Sequence, residues 1–163
     1  MEKTDDIDLM LVLNPHGWGT CIFFIKSKII ELEITLAFGD PIVDLIQSLI
    51  NIIDNKNEAE FYWFGEPCGN RIRISKIMTQ QNKVIISIDE FEESFGNQKK
   101  NYETIISFEI KIKHLFILFY NQLEKIQMLM EDVEYANKRK NDFPNEHFHK
   151  FKRKFTEYID RKS

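Results

Sequence analysis

The stretch Phe61-Tyr62-Trp63-Phe64-Gly65-Glu66-Pro67-Cys68-Gly69-Asn70-Arg71-Ile72-Arg73-Ile74 constrains the fold of this chain more than any other. Four consecutive aromatics run into a turn rich in Pro and Gly, and an Arg/Ile alternation runs out of it. Aromatic and β-branched residues favour strands, so the segment reads as a β-hairpin. Pro67 presets φ for an early turn position, and Gly69 or Asn70 can take φ > 0. Strand side chains alternate, which sends Phe61 and Trp63 to one face and Tyr62 and Phe64 to the other. One pair faces the core, while the other is either covered by the C-terminal helices or exposed. An exposed Tyr62 or Trp63 beside Arg71 or Arg73 has the composition of an interface hot spot.

The flanking chain supplies further strands. Residues 9–13 form a short apolar run, Asn14 to Gly19 a turn, and Thr20 to Lys26 a strand apolar on both faces. The next strand alternates Ile30, Leu32, Ile34 and Leu36 against Glu31, Glu33 and Thr35. Asp40 and Pro41 then start a helix as N-cap and first helical residue. Its stripe is Ile42, Leu45, Ile46, Leu49, Ile50 and Ile53. After the hairpin, Lys83–Asp89 and Glu103–Lys113 alternate as strands, and the polar Glu90–Asn101 between them reads as a loop. From His114 the period changes: Phe116, Phe119, Leu123, Ile126, Met130 and Val133 mark one long helix. Pro144 breaks it, and a last helix carries Phe148, Phe151, Phe155 and Tyr158 or Ile159. These elements predict an α+β fold: an antiparallel sheet of about six or seven strands packed by one helix, with a C-terminal αα-hairpin. All 163 residues are expected in a single domain, with 1–113 as sheet plus first helix and 114–163 as the helical hairpin.

Charge is unevenly placed. Residues 1–136 hold 13 basic against 22 acidic side chains, net −9, whereas 137–163 hold 9 against 4, net +5. An acidic body suits a basic partner, and the basic tail suits a phosphate, a membrane surface or the body itself. The acidic N-terminus is not signal-like, no apolar run approaches the ~18 residues of a membrane span, and two cysteines make no disulfide scaffold. A cytoplasmic protein that does not enter membranes is expected.

No arrangement names a reaction. Cys68 follows Pro in a turn rather than opening a helix, and only His16 in the other Gly-rich turn offers a base. His147 and His149 point to different faces of a helix and cannot share an ion. There is no phosphate-binding glycine loop. Asp89, Glu90, Glu92 and Glu93 lie where solvated charges lie. The basic residues 138–154 could touch nucleic acid, but the Phe seam beside them has core spacing. No catalytic residue, metal or cofactor is therefore expected. The alternatives are an enzyme with a pocket around Glu66-Pro67-Cys68-Gly69, lined by Glu66, Cys68, Arg71 and His16, and a nucleic-acid-binding protein that uses the basic C-terminal helix.

Over the middle quarter of the chain, Trp63-x-x-Glu66-Pro67-x-Gly69-x-Arg71 resembles a pattern in immunity proteins of bacterial polymorphic-toxin and contact-dependent-inhibition systems. Cys68 and Asn70 depart from that pattern, and the C-terminal helical pair has no counterpart in it. The resemblance implies a non-enzymatic protein that blocks a cognate toxin by binding it, and many such toxins are basic nucleases. Tyr62, Trp63, Glu66, Arg71 and Arg73, with the acidic pair Glu31 and Glu33, are the expected binding residues.

Overall fold

Asp40 is itself extended and opens a helix after a turn. In the structure, a computed structural model that describes residues 1–94, 98–139 and 142–162, its Oδ1 accepts from the N–H groups of Ile42 and Val43, both at 3.1 Å. These are donors that the first turn leaves without an intrahelical partner. Helix α1 (Pro41–Ile53) buries the predicted apolar stripe. It also divides the strands into two groups. Before it, β2 (Ile7–Asn14), β3 (Trp18–Ile25) and β4 (Lys28–Thr35) form an antiparallel three-stranded sheet in the order β2-β3-β4. After it, β5 (Glu58–Phe64), β6 (Cys68–Ile77), β7 (Gln80–Ser94) and β8 (Gln98–Lys111) form an antiparallel meander. The N-terminal β1 (Glu2–Lys3) adds a parallel edge to β8, giving the order β1-β8-β7-β6-β5.

The α+β class and the C-terminal helical pair agree with the sequence reading, and the strands are shared between two sheets of five and three. Their inner faces meet. Phe23 of β3 lies 6.1 Å, ring to ring, from Phe108 of β8 and 6.4 Å from Phe119 of helix α2 (Ile112–Met130). Helix α4 (Asn145–Lys162) returns antiparallel along α2, with Tyr158 and Phe151 against Phe116, and Phe155 and Phe148 against Tyr120. The Phe seam of the basic helix is thus spent on packing, and Phe148 and Phe151 are buried.

Three expectations change. The long helix ends at Met130 instead of running through Val133: Asp132 caps a separate short helix, α3 (Val133–Asn137), by accepting from the Tyr135 N–H at 2.9 Å. An Asp side chain offers the backbone this alternative partner, and Val133 is left exposed. The supposed loop 90–101 is strand on both sides of residues 95–97, which lie outside the described residues. Its polar composition misleads because Phe91 is buried among other rings while Glu90 and Glu92 face solvent. The hairpin tip turns through a cis Glu66–Pro67 bond, with the Gly65 N–H donating to Cys68 O at 2.9 Å; neither Gly69 nor Asn70 has positive φ.

One edge is closed by side chains. The Leu11 N–H of β2 donates to Gln122 Oε1 (3.1 Å), and Leu13 O accepts from Arg139 Nε (2.9 Å), so α2 and the residues just after α3 cover a strand edge that would otherwise invite pairing. Among the described residues, no helix is long and apolar enough to cross a membrane.

Candidate interaction face on the five-stranded sheet

The β5–β6 register sets Tyr62 opposite Arg71, Glu60 opposite Arg73 and Phe64 opposite Gly69 on one face. Phe61 and Trp63 take the other face and the core. Trp63 is only 1% exposed, and its indole N–H donates to Pro41 O at 3.2 Å. This corrects the expectation that Trp63 binds a partner: it anchors the hairpin to the start of α1.

On the outward face, Asp89 of β7 is the centre of charge. It is 0% exposed, yet Arg71 Nε lies 2.8 Å and Arg73 Nε 3.0 Å from its Oδ2. Arg73 Nη2 lies 3.2 Å from Oδ1, and the Thr104 hydroxyl donates to Oδ1 at 2.6 Å. Burial alone would raise this carboxyl, but the Thr104 hydroxyl and the two guanidiniums outweigh it and hold it below its ordinary value. The sequence reading placed Asp89 among solvated carboxylates. Its role depends on which residue of β6 it opposes, and the register that pairs it with Arg71 is tertiary information.

Aromatic rings surround the charge cluster. The Arg71 guanidinium carbon sits 3.7 Å from the centroid of the Tyr102 ring, a cation–π geometry. Phe91 lies within 6.0 Å of both Tyr62 and Phe64 and 5.7 Å from Tyr102, and Phe38 joins Phe64 at 6.0 Å. Phe91 can lie flat over β6 only because its cross-strand neighbour is Gly69; a Cβ there would stand 2.5 Å from Phe91 Cζ. The Tyr62 hydroxyl donates to Glu60 Oε1 at 2.6 Å. Burial, then the bonds to Glu60 and Tyr102, push its phenol upward. Tyr62, Phe64, Arg71 and Arg73 remain partly accessible, and they combine rigid aromatic area with pre-oriented guanidiniums.

The other expected residues sit elsewhere. Glu66 is exposed at the hairpin tip, whereas Glu31 and Glu33 project from the outer face of the three-stranded sheet. Because the sheets meet through their inner faces, these two outer faces turn away from each other. The hairpin tip comes close to β4 at Gly65, where a Cβ would lie 3.5 Å from Glu33 O. Among the described residues Cys68 and His16 share no hydrogen bond. The backbone N–H of His16 donates to Lys138 O at 3.0 Å, and Arg71 is committed to Asp89 and Tyr102.

No protein-family model matches the chain, and no curated protein matches it. Among solved structures it is similar to a chain of the CdiA-CT/CdiI toxin and immunity complex from Enterobacter cloacae, with a TM-score of 0.46 and 12% identity over 72% of this chain and 99% of that one. A likeness at that level assigns no shared function.

Proposed function

We propose that this is a non-enzymatic binding protein of the immunity type, which neutralises a cognate bacterial toxin in the cytoplasm by covering its active surface. The observation that carries the reading is the outward patch of Tyr62, Phe64, Arg71, Arg73 and Tyr102, held rigid by the buried Asp89. A preorganised aromatic–arginine surface loses little side-chain freedom when a partner seals it from water. The net −9 of residues 1–136 favours a basic partner, such as a nuclease, and steers it to the complex. All 163 residues act as one domain in this reading, and Glu66 lies at the rim of the patch.

The test is co-expression with the product of the adjacent upstream gene. The reading expects that product to be toxic alone and harmless beside this protein, with protection weakened by the Tyr62→Ala/Arg71→Ala pair. A harmless neighbour, or toxicity that persists in the presence of the wild-type protein, overturns it.

A further inference from the structure

An outward sheet face ordinarily alternates toward polar residues. The outer face of the three-stranded sheet does not. Phe24 stands between Asp8 and Ile29, and in the next row Ile22 stands between Met10 and Glu31. Ile29 is 66% exposed, and Met10 and Phe24 are each 37% exposed. A single exposed apolar side chain is ordinary, but these three, in register on adjacent strands and joined by the half-buried Ile22, make a continuous patch.

At the β3–β4 turn lie the cations Lys26 and Lys28, but the charged side chains in register with the patch are all acidic. Asp8, Glu31 and Glu33 flank it, and among the described residues none of the three takes part in an ion pair, whereas Asp89 and Glu109 are each met by two cations. That asymmetry selects an occupant. A second copy meeting the same face across a twofold axis would set carboxylates against carboxylates. A nucleic acid or an anionic lipid surface would be repelled by the same groups.

We propose that this face docks a cationic protein surface with an apolar centre, the apolar part on Met10, Ile22, Phe24 and Ile29 and the cations on Asp8, Glu31 and Glu33. The proposal rests on the reading of the chain as a binding protein and names a second contact surface for it, but it does not require the partner to be a toxin.

Trp18 shares this face and is partly accessible, while Trp63 is in the core, so fluorescence of the full chain reports occupancy. The probe is a synthetic amphipathic leucine–lysine helix, compared with leucine–glutamate and serine–lysine counterparts. The leucine–lysine peptide should give a saturable change that either Phe24→Ser/Ile29→Ser or Glu31→Lys/Glu33→Lys weakens about tenfold or more. The other two peptides should give none. Equal affinity in both paired variants, binding of the leucine–glutamate peptide, serine–lysine binding of equal strength, or a concentration-dependent dimer in sedimentation each overturn the proposal. Circular dichroism checks the fold, and if a paired variant does not fold, Ile29→Ser and Glu33→Lys alone give the same readout. A harmless upstream neighbour with the peptide complex intact removes only the immunity reading. Full neutralisation by a chain whose wild-type form ignores the leucine–lysine peptide removes only the docking surface.

Discussion

The two outward sheet faces use charge in opposite ways. On the five-stranded sheet, Asp89 is buried, met by two arginines and a threonine, and roofed by aromatic rings. On the three-stranded sheet, Asp8, Glu31 and Glu33 stand beside exposed aliphatic and aromatic side chains and have no ion-pair partner among the described residues. A charge whose hydrogen bonds are made within the chain fixes its neighbours in place. A charge left facing water keeps its attraction for whatever arrives. The first face is therefore expected to govern stability as well as the proposed toxin contact, and the second to add attraction for a basic surface, and the following substitutions separate the two.

The largest effect belongs to Asp89. Asp89→Ala leaves Arg71 and Arg73 beside each other without a counter-ion and should cost about 2–4 kcal/mol in chemical denaturation, short of the full cost of a buried pair because Arg73 keeps access to water. A loss below that of an ordinary surface change would show that the cluster does not hold the sheet. Gly69→Ala comes next: its Cβ would push into the Phe91 ring, which can move only by displacing Tyr62, Phe64 or Tyr102. A destabilisation of about 1–3 kcal/mol is expected, with altered near-ultraviolet circular dichroism from those rings.

The pH dependence sharpens the same contrast. The folded protein holds the Asp89 carboxyl below its ordinary value of 3.8. A carboxylate depressed by folding adds stability that is present above its unfolded value and is lost as pH falls through the folded one. The stability difference between wild type and Asp89→Asn should therefore be constant near neutrality and shrink as the solution is acidified below that ordinary value. A difference that grows on acidification would contradict the ion-pair account.

Gln122→Ala removes the side chain that accepts from Leu11 N–H at the covered β2 edge and should cost about 1 kcal/mol. The smallest expected change is on the other face. Ile29→Ser should alter stability by no more than about 0.5 kcal/mol, since that side chain is mostly in water. If instead it destabilises as much as Gly69→Ala, the apolar strip is part of the core and not a docking surface.

Much of the local structure was legible before any coordinate. Helix α1 was readable because Asp40, Pro41 and the apolar stripe agree at every level. The alternation of β4 and the hairpin of β5 and β6 were readable because turn residues and period coincide. The candidate site was legible only in part: Tyr62, Arg71 and Arg73 share a face through simple alternation, yet Trp63 entered the same expectation although alternation placed it on the opposite side from Tyr62. Asp89, Phe91 and Tyr102, which give the patch its rigidity, carried no signal. They lie in or beside a segment whose polar composition resembles a loop, and a β8 residue left over between the pairs Ile88–Ile106 and Asp89–Thr104 interrupts the period there.

The sequence by itself determined the elements in which period and turn residues agree, such as α1, β4 and the β5–β6 hairpin, and which of their side chains share a face, because those follow from local sterics and from periods of two and 3.6 residues. Which face is buried, where the strands divide into two sheets and which carboxylate meets the arginines were decided only in the tertiary structure. These depend on register between segments far apart in the chain, such as Arg71 opposite Asp89. A shift of one residue there would turn every side chain of the strand to the other face and change no local preference.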